Sequence, residues 1–422
     1  MQDSPIQKNK VSVILPRISR LFILFGLTTF FIAFADSLMS YFLPTLMTNS
    51  GLSNTEMGIL YSSSAVFGAI FDFLLSKYLK STHYKRMYFY TIVLAIVFPI
   101  MMFMSSWFWI YLAAMMVWGL YYNIWNFGYY DFVSREQNSK SYASSFGILS
   151  MFNDIGYLVG PLIAAQFVLT GHTLLPMISP IFLVLLAAFF FMGVIFLKNK
   201  ERKKRKNPES EILEKERDVS FLKEVKLWYL VSKRMWPILL MGISLSITSA
   251  MFWVVTPLLD GKSEGMNQLG GILLTASLAP SLFVNWSVGT FTNKFGKKYT
   301  AFAAFLLSNL ILLSVGFISN PYIIILAVFL SSLFSSISYP ALSATVADYL
   351  KESKSYDNEI LSVKDFFGNV GCIIGPLVAG FLMDRIGSLM IFSYFAVFGI
   401  AVSIFLLFFS PKSIDFHDRS MK

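Results

Sequence analysis

Polar side chains are sparse along this chain and come in short clusters between long apolar runs. The runs lie near residues 21–47, 54–76, 87–105, 108–131, 142–169, 174–197, 236–258, 268–291, 299–318, 321–347, 359–383 and 388–410. Each approaches the ~20 residues a helix needs to cross about 30 Å of hydrocarbon. In lipid every backbone N–H and C=O must be bonded internally, so these runs are expected as helices. A membrane-spanning β-barrel would instead alternate apolar and polar residues over about ten positions per segment. The pattern therefore predicts an all-α polytopic membrane protein with twelve transmembrane helices.

A second regularity is an internal repeat. Phe152-Asn153-Asp154-Ile155-Gly156-Tyr157-Leu158-Val159-Gly160-Pro161 returns as Phe367-Gly368-Asn369-Val370-Gly371-Cys372-Ile373-Ile374-Gly375-Pro376, 215 residues later. Repetition at about half the chain length implies two pseudo-symmetric six-helix bundles. The expected units are a cytoplasmic arm at 1–20, a first bundle at 21–197, a basic linker at 198–234, a second bundle at 235–410 and a cytoplasmic tail at 411–422. Within the linker, Glu211 to Lys226 mixes charged and apolar residues, as an interfacial helix would.

Charge sets the orientation. With the N-terminus in the cytoplasm, 31 of the 34 Lys and Arg fall in cytoplasmic connections; Lys262 and Arg385 lie opposite, and Lys364 lies within span 11. Basic residues collect on the cytoplasmic side, so both termini are expected there, in the cell membrane. The net charge of +10 is explained by this bias, and no nucleic-acid partner is expected. The first apolar run, about 27 residues, exceeds a signal-peptide core and reads as an uncleaved span.

The composition agrees: 56% of residues are hydrophobic and 14% charged, against about 25% charged in soluble proteins. One cysteine, Cys372, excludes an internal disulfide framework. There is no phosphate-binding loop of the GxxxxGK[ST] type and no cluster of nucleophile and base. Neither an enzyme nor a cofactor or metal is expected. The expected partners are a small-molecule substrate, protons and the lipid bilayer, with the chain acting as a monomer.

The connection after span 8 reads Gly289-Thr290-Phe291-Thr292-Asn293-Lys294-Phe295-Gly296-Lys297-Lys298. It resembles the loop motif G-x-x-x-[DN]-[RK]-x-G-[RK]-[RK] of the major facilitator superfamily. The equivalent place after span 2 keeps Gly68 and Asp72 but not the basic turn. The Gly-Pro stretch of span 5 resembles a motif of the family's proton-coupled drug and small-solute exporters, and span 11 carries it too. An arginine four residues before a glycine in span 4, another family feature, is absent: Met115 precedes Gly119. The resemblance implies an alternating-access transporter whose halves rock about a midplane site, with spans 1, 4, 7 and 10 lining a central cavity. Efflux is favoured; proton-coupled uptake of a sugar, organic anion or peptide-like solute, or a non-transporting sensor, are the alternatives.

Candidate residues follow from helical spacing. In span 5, Asp154, Tyr157 and Pro161 share a face, while Gly156 and Gly160 form an adjacent small face. Asp154 lies about 11 residues, or ~16 Å, from the cytoplasmic end. A carboxylate at that depth costs about 2.5–3.5 kcal/mol and ordinarily faces a cavity. Asp154 is thus the first candidate for proton coupling, with Asp36 of span 1 as a second proton or substrate site. Span 11 replaces the acid by Asn369 and has Asp365 one turn earlier; Lys364, about 100° round the helix, is expected to snorkel toward the cytoplasm. Asn123, Asn126, Ser246, Trp253 and Tyr339 complete the expected cavity. Gly371, Gly375 and Pro376 are the gating counterparts in span 11. Asp131 and Asp348, ending spans 4 and 10, are expected to hold the loop cations Lys294, Lys297 and Lys298 in a charge network.

Overall fold

The computed structural model describes residues 20–78, 83–104, 106–136, 142–171, 174–204, 221–261, 266–284, 288–353 and 357–411. They form helices α1 (Arg20–Asn49), α2 (Asn54–Tyr78), α3 (Tyr84–Met104), α4 (Phe108–Glu136), α5 (Tyr142–Thr170), α6 (Leu175–Lys204) and α7 (Phe221–Val255). The second half continues with α8 (Leu269–Leu278), α9 (Pro280–Val284), α10 (Val288–Phe295), α11 (Lys297–Ser314), α12 (Pro321–Ser353), α13 (Asp357–Ile386) and α14 (Met390–Phe409). Short 3-10 turns follow α7 and α11. Among the described residues there is no strand, and nine helices are long and apolar enough to cross a membrane.

The apolar runs at 54–76, 108–131 and 268–291 are not among those nine. Asn123 and Asn126 dilute the apolar character of α4, and in α2 the side chains from 72 onward lie outside the described residues. In the third, Leu269–Val284 is a shorter apolar helix with an irregularity at Ala279 between α8 and α9, where Pro280 supplies no N–H to the ladder; residues 285–287, before α10, lie outside the described residues. Helices enter the expected linker, 198–234, from both ends. Helix α6 runs to Lys204 and α7 starts at Phe221, so part of the expected interfacial helix belongs to α7. Its remainder, with the rest of the linker from 205 to 220, lies outside the described residues.

The two halves repeat one packing device. In α5, a Cβ on Gly156 would sit 2.6 Å from the Phe30 carbonyl of α1, and one on Gly160 would collide with Ser37. In α13, a Cβ on Gly371 would sit 2.6 Å from the Ile243 carbonyl of α7, and one on Gly375 2.8 Å from the Ile247 carbonyl. The repeated small face therefore brings α5 onto α1 and α13 onto α7, inside each half.

Prolines within these helices leave carbonyls that neighbours then use. Pro161 cannot donate to the carbonyl of Tyr157, and the Ser37 hydroxyl of α1 donates to that oxygen at 3.3 Å. Pro44 likewise frees the carbonyl of Ser40, which receives the Tyr61 hydroxyl at 3.4 Å.

Between the halves, described contacts gather at one face, where α1, α7 and α13 end and α2 and α8 begin. Asn54 and Thr55 of α2 donate to Asp384 of α13. Ser62 donates to the Ile373 carbonyl at 2.7 Å, Thr45 to the Pro257 carbonyl at 3.4 Å, and Thr275 to the Leu158 carbonyl at 3.3 Å. Each Gly-Pro proline takes part: the Pro161 carbonyl lies against Gly271 of α8, and the Pro376 carbonyl against Gly58 of α2. This is the face poor in Lys and Arg.

Candidate functional site

Asp36 is the centre of the site. It lies on α1 and is 4% exposed. Its Oδ1 accepts from Trp118 Nε1 at 2.8 Å and from the Tyr121 hydroxyl, both on α4. Its Oδ2 accepts from the Tyr157 hydroxyl of α5 at 2.7 Å. The register explains the grouping. Trp118 and Tyr121 are three residues apart and share a face of α4, while Tyr157 projects from the helix that the glycine face holds against α1. Among the described residues no basic side chain bonds Asp36. Three neutral donors thus surround one carboxylate, an arrangement that accommodates negative charge without cancelling it.

The Tyr157 ring also reaches across the molecule. It meets Trp253 of α7 edge-on, with centroids 6.0 Å apart. One side chain therefore touches both the carboxylate in the first half and an aromatic wall of the second. Further side chains from both halves converge nearby. Tyr122 of α4 pairs with Asn126 and lies within electrostatic reach of Asp36 and of Cys372 on α13. Tyr339 of α12 lies within reach of Cys372 and pairs with Ser249, and Cys372 pairs with Ser246. Tyr122 of the first half and Tyr339 of the second, 40% and 43% exposed, both approach the half-buried Cys372.

The other expected residues are distributed differently. Asp154 is half-buried on α5, beside the Asn153 amide, and is not one of the groups bonded to Asp36. Asn123 is taken up by packing: its amide donates to the Gly68 carbonyl at 2.6 Å and ties α4 to α2. Asn369 is half-buried on α13. Lys364 does not stand apart from Asp365; its ammonium reaches back to the carboxylate at 3.0 Å, both side chains being well exposed. The long lysine stem spans the angular gap that helical geometry places between neighbours.

At the opposite, lysine-rich face, the loop motif is spread over several partners. Lys297 donates to both oxygens of Asp348 at 2.6 and 2.7 Å. Lys298 donates to the Pro411 carbonyl, and Lys294 lies 5.2 Å from the Phe295 ring centre. Asn293 is exposed. Gly296 takes φ +84, so the turn into α11 requires glycine. Among the described residues a Cβ on Gly289 would meet nothing within 4 Å. Asp131 bonds the Tyr84 N–H at 2.8 Å and Arg135 at 2.7 Å, staying within the first half. The side chain of Asp72 lies outside the described residues.

Sequence reasoning missed Trp118 and Tyr121 as partners of Asp36, and also Tyr41, Asp260 and Asp384. The i, i+3 aromatic pair in α4 was a readable signal, but aromatic residues at helical spacing are usual in packed spans. Tyr41 and Asp260 lie 219 residues apart, with nothing in the chain to pair them.

Comparison with known proteins agrees with the geometry. The sequence model of the Major Facilitator Superfamily matches residues 25–356 and 268–419. A "Na(+), Li(+), K(+)/H(+) antiporter" of Planococcus maritimus is 26% identical over 183 residues, covering 39% of this chain and 40% of that protein. Among solved structures, the nucleoside transporter NupG superposes with a TM-score of 0.69 at 13% identity, covering 93% of this chain and 100% of the other. The peptide transporter POT in complex with sulfate gives 0.68 at 12% identity, covering 93% and 94%. A bacterial homologue of the lysosomal transporter Spinster, in an inward-facing and unoccupied conformation, gives 0.66 at 10% identity, covering 92% and 94%. A match along nearly the whole sequence, with the same fold in transporters of several solutes, establishes that this chain belongs to the Major Facilitator Superfamily.

Proposed function

We propose that the protein is a proton-coupled secondary transporter of a small organic solute, working by alternating access, with efflux as its direction. The lysine-poor face is the outer one, and both termini are cytoplasmic. In this reading the structure has its outer side closed, because the cross-half contacts collect there.

The observation that carries the reading is the environment of Asp36. A buried carboxylate with three neutral donors and no basic partner is completed by a positive species, either a proton or a cationic solute. Competition of the two for one carboxylate is the simplest form of exchange. Tyr157 would report which is bound, since it touches Asp36 in one half and Trp253 in the other. Asp154 becomes a second group along the path.

A second reading is monovalent-cation/proton exchange. It is favoured by the name of the Planococcus relative together with the lack of a basic neighbour at Asp36. Proteoliposomes carrying an imposed pH gradient test both: a panel of organic amines, neutral solutes, Na+ and K+ is offered, and gradient-driven flux is measured. Flux of an organic solute supports the first reading and flux of the metal cations alone supports the second. Gradient-independent behaviour across the panel overturns proton coupling.

A further inference from the structure

Asp260 joins the two halves at the outer face. It follows Leu259, where the apolar span of α7 ends, and is 7% exposed. Its Oδ1 accepts from the Gly270 N–H at 2.8 Å and from the Gly271 N–H at 3.4 Å, at the start of α8. Its Oδ2 accepts from the Tyr41 hydroxyl at 2.6 Å. Tyr41 belongs to α1 of the other half and is fully buried. One turn further along α1, Thr45 bonds the Pro257 carbonyl, so the link is part of a continuous seam.

The charged and titratable surroundings are few. From α1 the titratable group facing Asp260 is Tyr41; α8 presents the backbone N–H groups of Gly270 and Gly271. From α5, Leu169 lies against Gly261. Lys262 and Glu264 lie outside the described residues. Burial raises the carboxyl from 3.8 to about 6, against the opposing pull of the Tyr41 and backbone hydrogen bonds.

The protonated form fits the same geometry. Oδ1 still accepts from the two backbone N–H groups. The proton sits on Oδ2, and the Tyr41 hydroxyl, which can both donate and accept, turns from donor to acceptor. Opening the face would return Asp260 to water and to an ordinary carboxylate affinity. The closed state therefore binds the proton more tightly than the open one, and by linkage acid favours closure.

We infer that Asp260 is a proton-binding site of the outer seal, taking up a proton as the halves close over it, so that external acid holds that face shut and alkalinity loosens it. The inference rests on the alternating-access reading but not on the role of Asp36.

The test uses the full chain with Cys372→Ser and a reporter Thr45→Cys inside the seam. A membrane-impermeant maleimide is applied to intact cells. Labelling is divided by that of Ser319→Cys, an exposed position on the same face, which cancels the intrinsic pH dependence of thiol reactivity. The ratio should fall about tenfold from about pH 7.5 to about pH 5, with its midpoint near 6. Asp260→Asn should hold the ratio at the low, acid level throughout. Tyr41→Phe removes a donor to the charged form and should move the midpoint upward. A pH-flat ratio with Asp260 present, or an unchanged slope in Asp260→Asn, overturns the inference. Wild-type flux in proteoliposomes is read in parallel. Flux with flat labelling sinks the inference and spares the transport reading; pH-dependent labelling without flux does the reverse.

Discussion

Thr55 and Asp384 form a two-point contact between the halves. The Thr55 N–H and hydroxyl donate to one carboxylate oxygen at 2.9 and 2.5 Å. The second oxygen takes the Asn54 N–H and amide at 3.2 and 2.8 Å. A side chain from α13 thus satisfies the Asn54 and Thr55 N–H groups of α2, beside the helix's own cap, in which the Ser53 hydroxyl accepts from the Glu56 N–H at 3.1 Å and Glu56 accepts from the Ser53 N–H at 2.8 Å. In the alternating-access reading, the Asp384 contacts form only while the lysine-poor face is shut.

Asp384→Ala should therefore loosen that face and leave each half folded. Loss of a helix cap costs about 0.5–2 kcal/mol, here charged to the closed state alone. Spin labels at Leu174→Cys and Asn267→Cys sit in exposed connections of opposite halves. Their pulsed-resonance distance should lengthen or broaden in Asp384→Ala. An unchanged distance distribution would remove Asp384 from the seal.

Much of this architecture was legible in the chain itself. The apolar runs, the 215-residue repeat and the Lys/Arg asymmetry each reflect a local rule that acts on neighbouring residues. The glycine face of α5 could be read because its spacing is helical. Its partner could not: Gly156 and Gly160 hold α1 within one half, whereas the adjacent Pro161 carbonyl meets α8 of the other. The irregularity at Ala279 was hidden because Pro280 sits in a stretch as apolar as any span. Asp36 was readable as an intramembrane acid. Its preference over Asp154 depends on Trp118, Tyr121 and Tyr157 converging from two helices, and spacing along one helix carries no such information.

The two acids give a direct contrast. Asp36→Asn keeps the shape and the acceptor oxygen but cannot take a proton, so pH-gradient-driven flux should be lost. Asp154→Asn changes a half-buried group outside the three-donor cluster and should keep a substantial part of it. Flux in proteoliposomes checks both, with solute binding measured separately to tell lost coupling from lost recognition. Loss in Asp154→Asn with full activity in Asp36→Asn would invert the assignment.

At the lysine-rich face, Lys297 and Asp348 tie α11 to the end of α12. Their side chains are 34% and 42% exposed, so solvent screening limits the pair to about 0.2–1 kcal/mol. A double-mutant cycle with Lys297→Ala and Asp348→Ala, read by thermal unfolding in detergent, should give a coupling of that size. It should shrink at high salt. A coupling well above this range would mean that the pair also holds a conformation in place.

Glycines at the two kinds of interface should fail in different ways. A side chain at Gly160 meets Ser37 and Leu38 of α1 inside the first half, a contact needed in every conformation. Gly160→Val should therefore lower the melting temperature, since overpacking costs about 1–3 kcal/mol. A side chain at Gly58 meets the Pro376 carbonyl and, at 3.2 Å, the Gly380 Cα, both across the seal. In the alternating-access reading that clash exists only while the lysine-poor face is closed. Gly58→Val should keep a near-native melting temperature and shift the Leu174–Asn267 distance toward the open form. If Gly160→Val opened the face and Gly58→Val unfolded the protein, the division between packing within a half and sealing between halves would be wrong.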